Sequence, residues 1–237
     1  MDNLCLVNSI EECNVVTHAG KFTAGNVFTV ILLSEILPEV RLFRTNELPK
    51  EALNTSIIAF DIPGAPYEKG KQVRKNGIKY SSLGLLWKRS RTVFLSKVFE
   101  DIDSPPIELF EAISKSFDAV FVEAIDAIDN GQIDLLDKNN PVLKVNEQLE
   151  VFNLKKTFYK DLSTSEEWKP EWDYNTVLDE CFLIAFNYFK PFFRALVVTC
   201  INATIEVENA MKAEFLEKLM EDPEGAVEMI KKAIEKA

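Results

Sequence analysis

Glu123, Asp126 and Asp129 recur at steps of three in Phe121-Val-Glu-Ala-Ile-Asp-Ala-Ile-Asp-Asn-Gly-Gln132, at the end of a helical pattern that Asn130-Gly131 terminates. That spacing sets the carboxylates on neighbouring turns of one helix face, an arrangement that holds a metal ion or a basic group. Near a helix C-terminus, Asp126 and Asp129 oppose the macrodipole at about 0.3–1 kcal/mol each when unpaired, which favours a cationic partner over simple exposure. Two further candidates lie earlier in the chain. His18 follows a β-rich run in Thr17-His-Ala-Gly20, and Asp61 follows another in Phe60-Asp-Ile-Pro-Gly64. Imidazole and carboxylates converging at strand ends are ligands for Mn, Mg or Zn, ions that polarise phosphoryl oxygens and lower the pKa of bound water. Each residue also has a structural reading: His18 as a cap or loop filler, Asp61 as the brace of a tight turn, Asp126 and Asp129 as a helix end.

The elements that must position these residues follow from periodicity. Asn14–Thr17, Val40–Arg44 and Ser56–Phe60 read as strands, the last a continuous apolar run suited to a sheet covered on both faces. Ala24 to Ile36 reads as a helix that Pro38 ends, and a short helix follows around Pro49 to Leu53. Strand and helix in alternation imply right-handed crossovers and a parallel sheet, whose site lies past the C-terminal strand ends, where His18 and Asp61 fall. A helix capped by Ser81 or Ser82 runs to about Phe99. Another opens at Pro105-Pro106 and runs to about Asp129, with Ile107, Phe110, Ile113, Phe117, Phe121, Ala124 and Ile128 as its core stripe.

From Gln132 to Asp173 the pattern loosens, with Trp168 and Trp172 among charges. Tyr174 to Lys218 then reads as helix, with a kink expected at Pro191, and Asp222-Pro223 opens a last helix to Ala237. The expected fold is α/β: residues 1–131 form a mainly parallel sheet with helices on both faces, and residues 132–237 a mostly helical C-terminal lobe.

Composition narrows the function. Hydrophobic residues make up 47% of the 237 and charged residues 27%, the balance of a soluble globular chain. No basic region leads into an apolar run at the N-terminus, as a secretory signal would require. Phe182 to Ala203 is apolar but interrupted by Lys190, Pro191 and Arg194, so it reads as a buried helix, and no membrane is expected. Four cysteines without Cys-x-x-Cys spacing, beside a single histidine, argue against structural zinc and for a reduced, intracellular and cytoplasmic protein. The net charge of −11 argues against general affinity for nucleic acid. Yet Lys69 to Phe99 holds nine basic residues and no acidic one, so the total of −11 less these nine leaves −20 elsewhere. Such a patch receives a phosphate, a nucleic-acid strand or an acidic surface, or it is a solvated face paired with the acidic remainder.

Five stretches carry a family resemblance. Thr17-His-Ala-Gly-Lys-Phe22 resembles Thr-His-x-Gly-x-Phe, Phe60-Asp-Ile-Pro-Gly64 resembles Val-Asp-Val-Gly-Gly, and Lys79-Tyr-Ser-Ser-Leu-Gly-Leu-Leu-Trp87 resembles Lys-Leu-Ser-Ser-Ala-Gly-Leu-Val-Tyr. Phe121 to Gly131 follows Phe-Val-Glu-Ala-Ile-Asp-Ala-Ile-Asp-Asn-Gly nearly letter for letter, and a helical stretch from about Leu178 adds a weaker likeness. In this order, over roughly residues 10 to 215, they resemble the Myg-type (melanocyte proliferating gene) exonuclease family of the DHH phosphoesterase superfamily. The resemblance implies a DHH-like α/β domain and metal-dependent phosphoester hydrolysis.

The departures bear on that activity. Where the family has His-x-Asp-Glu after the phenylalanine, this chain has Thr23, Ala24, Gly25 and Asn26. The Asp-His-His triplet should fall between Asp61 and Ser81, where Gln72-Val-Arg-Lys-Asn-Gly77 stands, and no register restores a histidine because His18 is the only one. His18, Asp61, Asp126 and Asp129 remain as residual metal candidates, implying no cofactor or one weakly bound Mn or Mg ion. Arg74 and Lys75 are expected as counter-ions in place of the metals, and Arg74, Lys75 and Lys79 as holders of a phosphate. Members continue further than Ala237, so part of the substrate-clamping lobe is expected to be missing. The leading expectation is a degenerate homologue, inactive or impaired, that binds a phosphate or nucleotide ligand or a protein partner. The alternatives are a single-metal phosphoesterase or nuclease using His18, Asp61 and Asp126/Asp129, and a scaffold whose helical lobe docks a partner or a second copy through Phe182, Phe186, Phe189, Phe192 or Phe193 if they are exposed. Nucleic acid as a ligand stays open.

Overall fold

The computed structural model describes residues 3–53, 56–100, 107–153 and 173–221, together with residues 160 and 164. The expected helix from Asp222, the Pro105-Pro106 helix start, Trp168 and Trp172 lie outside them. Four strands form the sheet: β1 (Leu4–Val7), β2 (Val15–Thr17), β3 (Val40–Arg44) and β4 (Ile58–Ala59). Their order is β1-β3-β2-β4, and every pairing is parallel. Helix α1 (Ala24–Ile36) connects β2 to β3, and a 3-10 turn at Lys50–Leu53 precedes β4. The fold is therefore α/β, as the alternation of elements implies.

The sheet's two faces are covered unequally. Alternation sends Val15, Val40 and Leu42 to one face and Val16, Phe43 and Ala59 to the other, as a pleat with period two requires. The first face carries the large core. It packs against α1, α2 (Ser82–Val98), α3 (Ile107–Phe117), α4 (Glu123–Asp129), α5 (Val142–Glu150) and α6 (Tyr174–Glu221). The second face carries a smaller cluster in which Ala52, Ile62 and Ala65 pack with Ile10 and Leu48, residues of turns and loops.

The large core continues from Val15 through Leu149 to Ile201, so residues on both sides of position 131 share it. Phenylalanines join them: the Phe193 ring lies 5.6 Å from Phe117 and about 6 Å from Phe28, Phe94 and Phe121. Phe182, Phe186, Phe189 and Phe193 are buried, and Phe192 is 39% exposed. By length and apolarity alone, Tyr174–Glu214 could cross a membrane. Its interrupting charges are tied to other elements instead. Lys190 donates to Asn3 Oδ1 at 3.0 Å, and Arg194 bonds both carboxylate oxygens of Glu35 in α1 at 2.9 and 3.1 Å. The helix runs through Pro191 without ending.

The helix expected to run unbroken to Asp129 contains one π-turn, Asp118–Val122, between α3 and α4. The Glu123 N–H bonds the Asp118 carbonyl across the π-turn, which brings Asp118 and Glu123 toward one side of the helix, with Asp126 a further turn along. Three acidic groups thereby face a single neighbour, Arg74.

Candidate functional site

The carboxylates that end α4 meet the starts of two other helices. Thr23 caps α1 and Ser81 caps α2, each in extended backbone with its hydroxyl accepting a backbone N–H of the first turn. Asp126 Oδ1 accepts the Ser81 N–H at 2.8 Å and the Ser81 hydroxyl at 2.6 Å. Asp129 accepts the Gly25 N–H at 3.1 Å and the Thr23 hydroxyl at 3.0 Å. Each aspartate therefore sits at the positive end of a helix dipole, which offsets its unfavourable place at the end of α4. The approach is close enough to demand glycine. A Cβ on Gly25 would lie 2.0 Å from Asp129 Oδ2, and one on Gly84 would lie 2.3 Å from Asp126 Oδ2.

Arg74 supplies the cation for this end of the helix. Its Nε and Nη2 donate to Asp126 Oδ2 at 2.8 and 2.6 Å, and Nη1 and Nη2 to Asp118 at 2.5 and 2.8 Å. Glu123 lies 3.7 Å from Nη1, and the guanidinium stacks 4.5 Å from the Tyr80 ring centroid. Burial alone would lower the Arg74 pKa, but the carboxylates of Asp118 and Asp126 outweigh it and push it up. Burial pushes Asp126 up to about 6 against the lowering influence of Arg74 and Ser81, and it pushes Asp129 to about 6 as well. Both remain charged at neutral pH.

The second half of the site surrounds Asp61, at the C-terminal ends of β2 and β4. Asp61 holds φ +51, a left-handed backbone that aspartate tolerates better than most residues, and it is 7% exposed. Its Oδ2 accepts the Asn26 amide at 2.6 Å and lies 3.4 Å from His18 Nε2, while Lys69 Nζ is 3.6 Å from Oδ1. His18 has both ring nitrogens on oxygen acceptors: Nδ1 is 3.0 Å from the Ala19 carbonyl, and Nε2 is 3.0 Å from Asn26 Oδ1. Two acceptors favour N–H on both nitrogens and so the protonated ring. Burial would lower His18, but Asp61 and the Ala19 carbonyl outweigh it and hold the ring above its ordinary value. Burial would raise Asp61, but His18, Lys69 and Asn26 hold it below the usual carboxylate range.

Arg44, at the end of β3, fixes the loop that carries His18. It donates to the carbonyls of His18 and Gly20 at 3.3 and 2.6 Å and forms an ion pair with Asp179 of α6. Its guanidinium stacks on Phe182 at 4.8 Å.

The structure thus brings the sequence candidates into two linked clusters. His18 and Asp61 meet, with Asn26 between them. Asp129 joins them through Thr23, whose hydroxyl lies 3.0 Å from both Asn26 Oδ1 and Asp129 Oδ2. Asp126 is turned to Ser81 and Arg74. Among the described residues, no group of three or more His, Cys, Asp and Glu side chains is placed to hold a metal ion. The counter-ions differ from those the sequence points to. Arg74 neutralises Asp126 and Asp118, not Asp61; Lys75 is exposed; and the cations beside Asp61 are Lys69 and His18. Arg74 is also spent internally, with its donors on carboxylates, while Lys79 exposes its side chain and bonds Gln132 and Asn130 through its backbone. Sequence reasoning missed Asn26, Lys69 and Asp118. A signal existed only for Asn26, three residues after Thr23, the spacing of a capping pair.

A family model described as MYG1_exonuc, an uncharacterised protein family (UPF0160), matches residues 14–236. The chain belongs to the Myg-type exonuclease family. No curated protein and no solved structure matches it. In this Myg-type chain the acidic segment Phe121 to Gly131 carries the carboxylates that bond the first turns of α1 and α2.

Two expectations follow from the site. Alanine is the better helix former by about 1 kcal/mol. Gly25→Ala and Gly84→Ala should nevertheless each destabilise the chain, by about 1–3 kcal/mol in urea unfolding, because the new methyl displaces a buried carboxylate. The second concerns pH. Asp126 and Asp129, pushed up to about 6, disfavour folding as pH rises from the usual carboxylate range through about 6. His18, held high, loses its stabilising contribution as pH rises through its folded value. Asp61, held low, loses its contribution only as pH falls through its depressed value. Thermal unfolding should therefore occur at a higher temperature near pH 5 than near pH 8. Asp126→Asn should flatten that slope.

Proposed function

We propose that this Myg-type chain has lost metal-dependent phosphoester hydrolysis and acts by binding, its ligand a phosphate-containing small molecule or its partner a protein. One observation carries the reading: the groups that would ligate an ion are already engaged by protein partners, the aspartates by donors and His18 by acceptors. A metal-binding imidazole needs a free lone pair, and both nitrogens of His18 face acceptors. Asp61 is surrounded by an amide donor, an ammonium and the His18 ring, so the Lys69 charge stands where a cation would have to enter. Asp126 and Asp129 spend their oxygens on two helix N-termini and Arg74. These side chains, as arranged, do not fit a divalent ion. A pair of ions that clamps attacking and leaving oxygens would need both sets of ligands at once.

The test is calorimetry with Mn²⁺, followed by incubation of the metal-supplemented chain with a generic phosphodiester and a short RNA. The expected result is no stoichiometric metal heat and no hydrolysis above buffer. Hydrolysis that requires Mn²⁺ and disappears in Asp61→Asn would overturn the proposal.

A further inference from the structure

Of the nine basic residues between Lys69 and Phe99, three are neutralised by carboxylates: Lys69 by Asp61, Lys71 by Glu68, and Arg74 by Asp118 and Asp126. Lys75, Lys79, Lys88, Arg89, Arg91 and Lys97 form no ion pair among the described residues, and two of these six line one pocket. It has a volume of about 320 Å³ and is walled by Pro66, Tyr67, Gln72, Leu85, Lys88 and Arg89. Leu85, Lys88 and Arg89 share a face of α2, since three and four residues make one turn.

The opposite wall is held in place. The Tyr67 carbonyl accepts the Asp61 N–H at 3.2 Å and the Ser82 hydroxyl at 2.9 Å. Tyr80 N–H bonds the Gln72 carbonyl at 2.9 Å, and Gly70 N–H bonds the Tyr80 carbonyl at 2.9 Å. The loop wall is therefore held before any ligand arrives, and the lining residues supply two cationic side chains, an amide, a phenol and the apolar Pro66 and Leu85. Cation and amide match a phosphate; ring and apolar side chains match a planar heterocycle. The volume lies at the low end of small-molecule sites, about 300 Å³ upward.

We infer that this pocket between the Pro66–Gln72 loop and α2 binds a nucleoside monophosphate, with Lys88 and Arg89 supplying charge to the phosphate and Tyr67 and Leu85 the surface for the base. The inference rests on the binding role proposed above and moves that role out of the His18–Asp61 cluster. The ligand is one nucleotide and not a polymer because the basic run is local. The rest of the chain carries the excess negative charge, which repels an extended polyanion.

The experiment titrates the full chain with adenosine 5′-monophosphate and, separately, with inorganic phosphate, by calorimetry at physiological salt. The nucleotide should bind once per chain. Lys88→Ala with Arg89→Ala should weaken it by about ten- to a hundredfold, the value of one or two charge-assisted hydrogen bonds. Tyr67→Ala should weaken the nucleotide but not the inorganic phosphate, and Lys97→Ala, in the same basic run, should change neither. Absence of binding by both probes overturns the inference, as does nucleotide affinity that survives the double substitution. Binding lost in Asp61→Asn but kept in the double variant would place the ligand in the central cluster, ending this inference and leaving the binding role intact. Metal-dependent hydrolysis would instead end the binding role, whatever the pocket holds.

Discussion

Two buried carboxylates at the end of α4 organise this chain. Asp126 meets the first turn of α2, and Asp129 meets the first turn of α1. A helix C-terminus carrying two aspartates is unfavourable alone. Here each charge sits where another helix presents unpaired N–H groups and a positive dipole end. Three helices are thereby locked at one point, and Gly25 and Gly84 are the residues that let the carboxylates come so close. Arg74 completes the balance. One guanidinium serves Asp118 and Asp126 and approaches Glu123, a geometry that the π-turn makes available. Removing it would leave buried negative charge with no cation, a loss of about 3–5 kcal/mol for a broken buried pair.

The same logic applies around Asp61, with different partners. Positive charge arrives from Lys69 and His18 and a dipole from Asn26; Arg44 holds the backbone of His18, and the Thr23 cap that of Asn26. The cluster is a closed set of donors and acceptors. Such closure stabilises the arrangement. On the neighbouring surface, Lys88, Arg89, Arg91 and Lys97 of α2 form no ion pair among the described residues.

Much of the scaffold was legible in the sequence because its signals are local. The bounds of α1 and β3, and the Ser81 cap of α2, follow from apolar spacing, capping residues and Pro38. β1 was not legible: Leu4–Val7 is a four-residue edge strand whose pairing with β3 is long-range. Nor was α5, whose apolar face is short and set among charges. The π-turn leaves the hydrophobic stripe of Phe117 and Phe121 intact, so periodicity does not reveal it. The clustering of His18 with Asp61 followed from strand-end geometry. The identity of their partners did not, because which of nine basic residues reaches which carboxylate depends on how the loop from Lys69 to Tyr80 folds back. Val73 pairing with Lys79 turns Arg74 toward Asp126 and leaves Lys75 exposed.

The central claim is that the carboxylates of Asp126 and Asp129 belong to the helix clasp and not to a metal. Carbon-13 NMR of the aspartate side-chain carboxyls, recorded with and without paramagnetic Mn²⁺, tests it most directly. The account predicts that both resonances titrate near pH 6 and keep their line widths when Mn²⁺ is added at a concentration equal to the protein's. Selective broadening of these two carboxyls, together with Asp61, would contradict it.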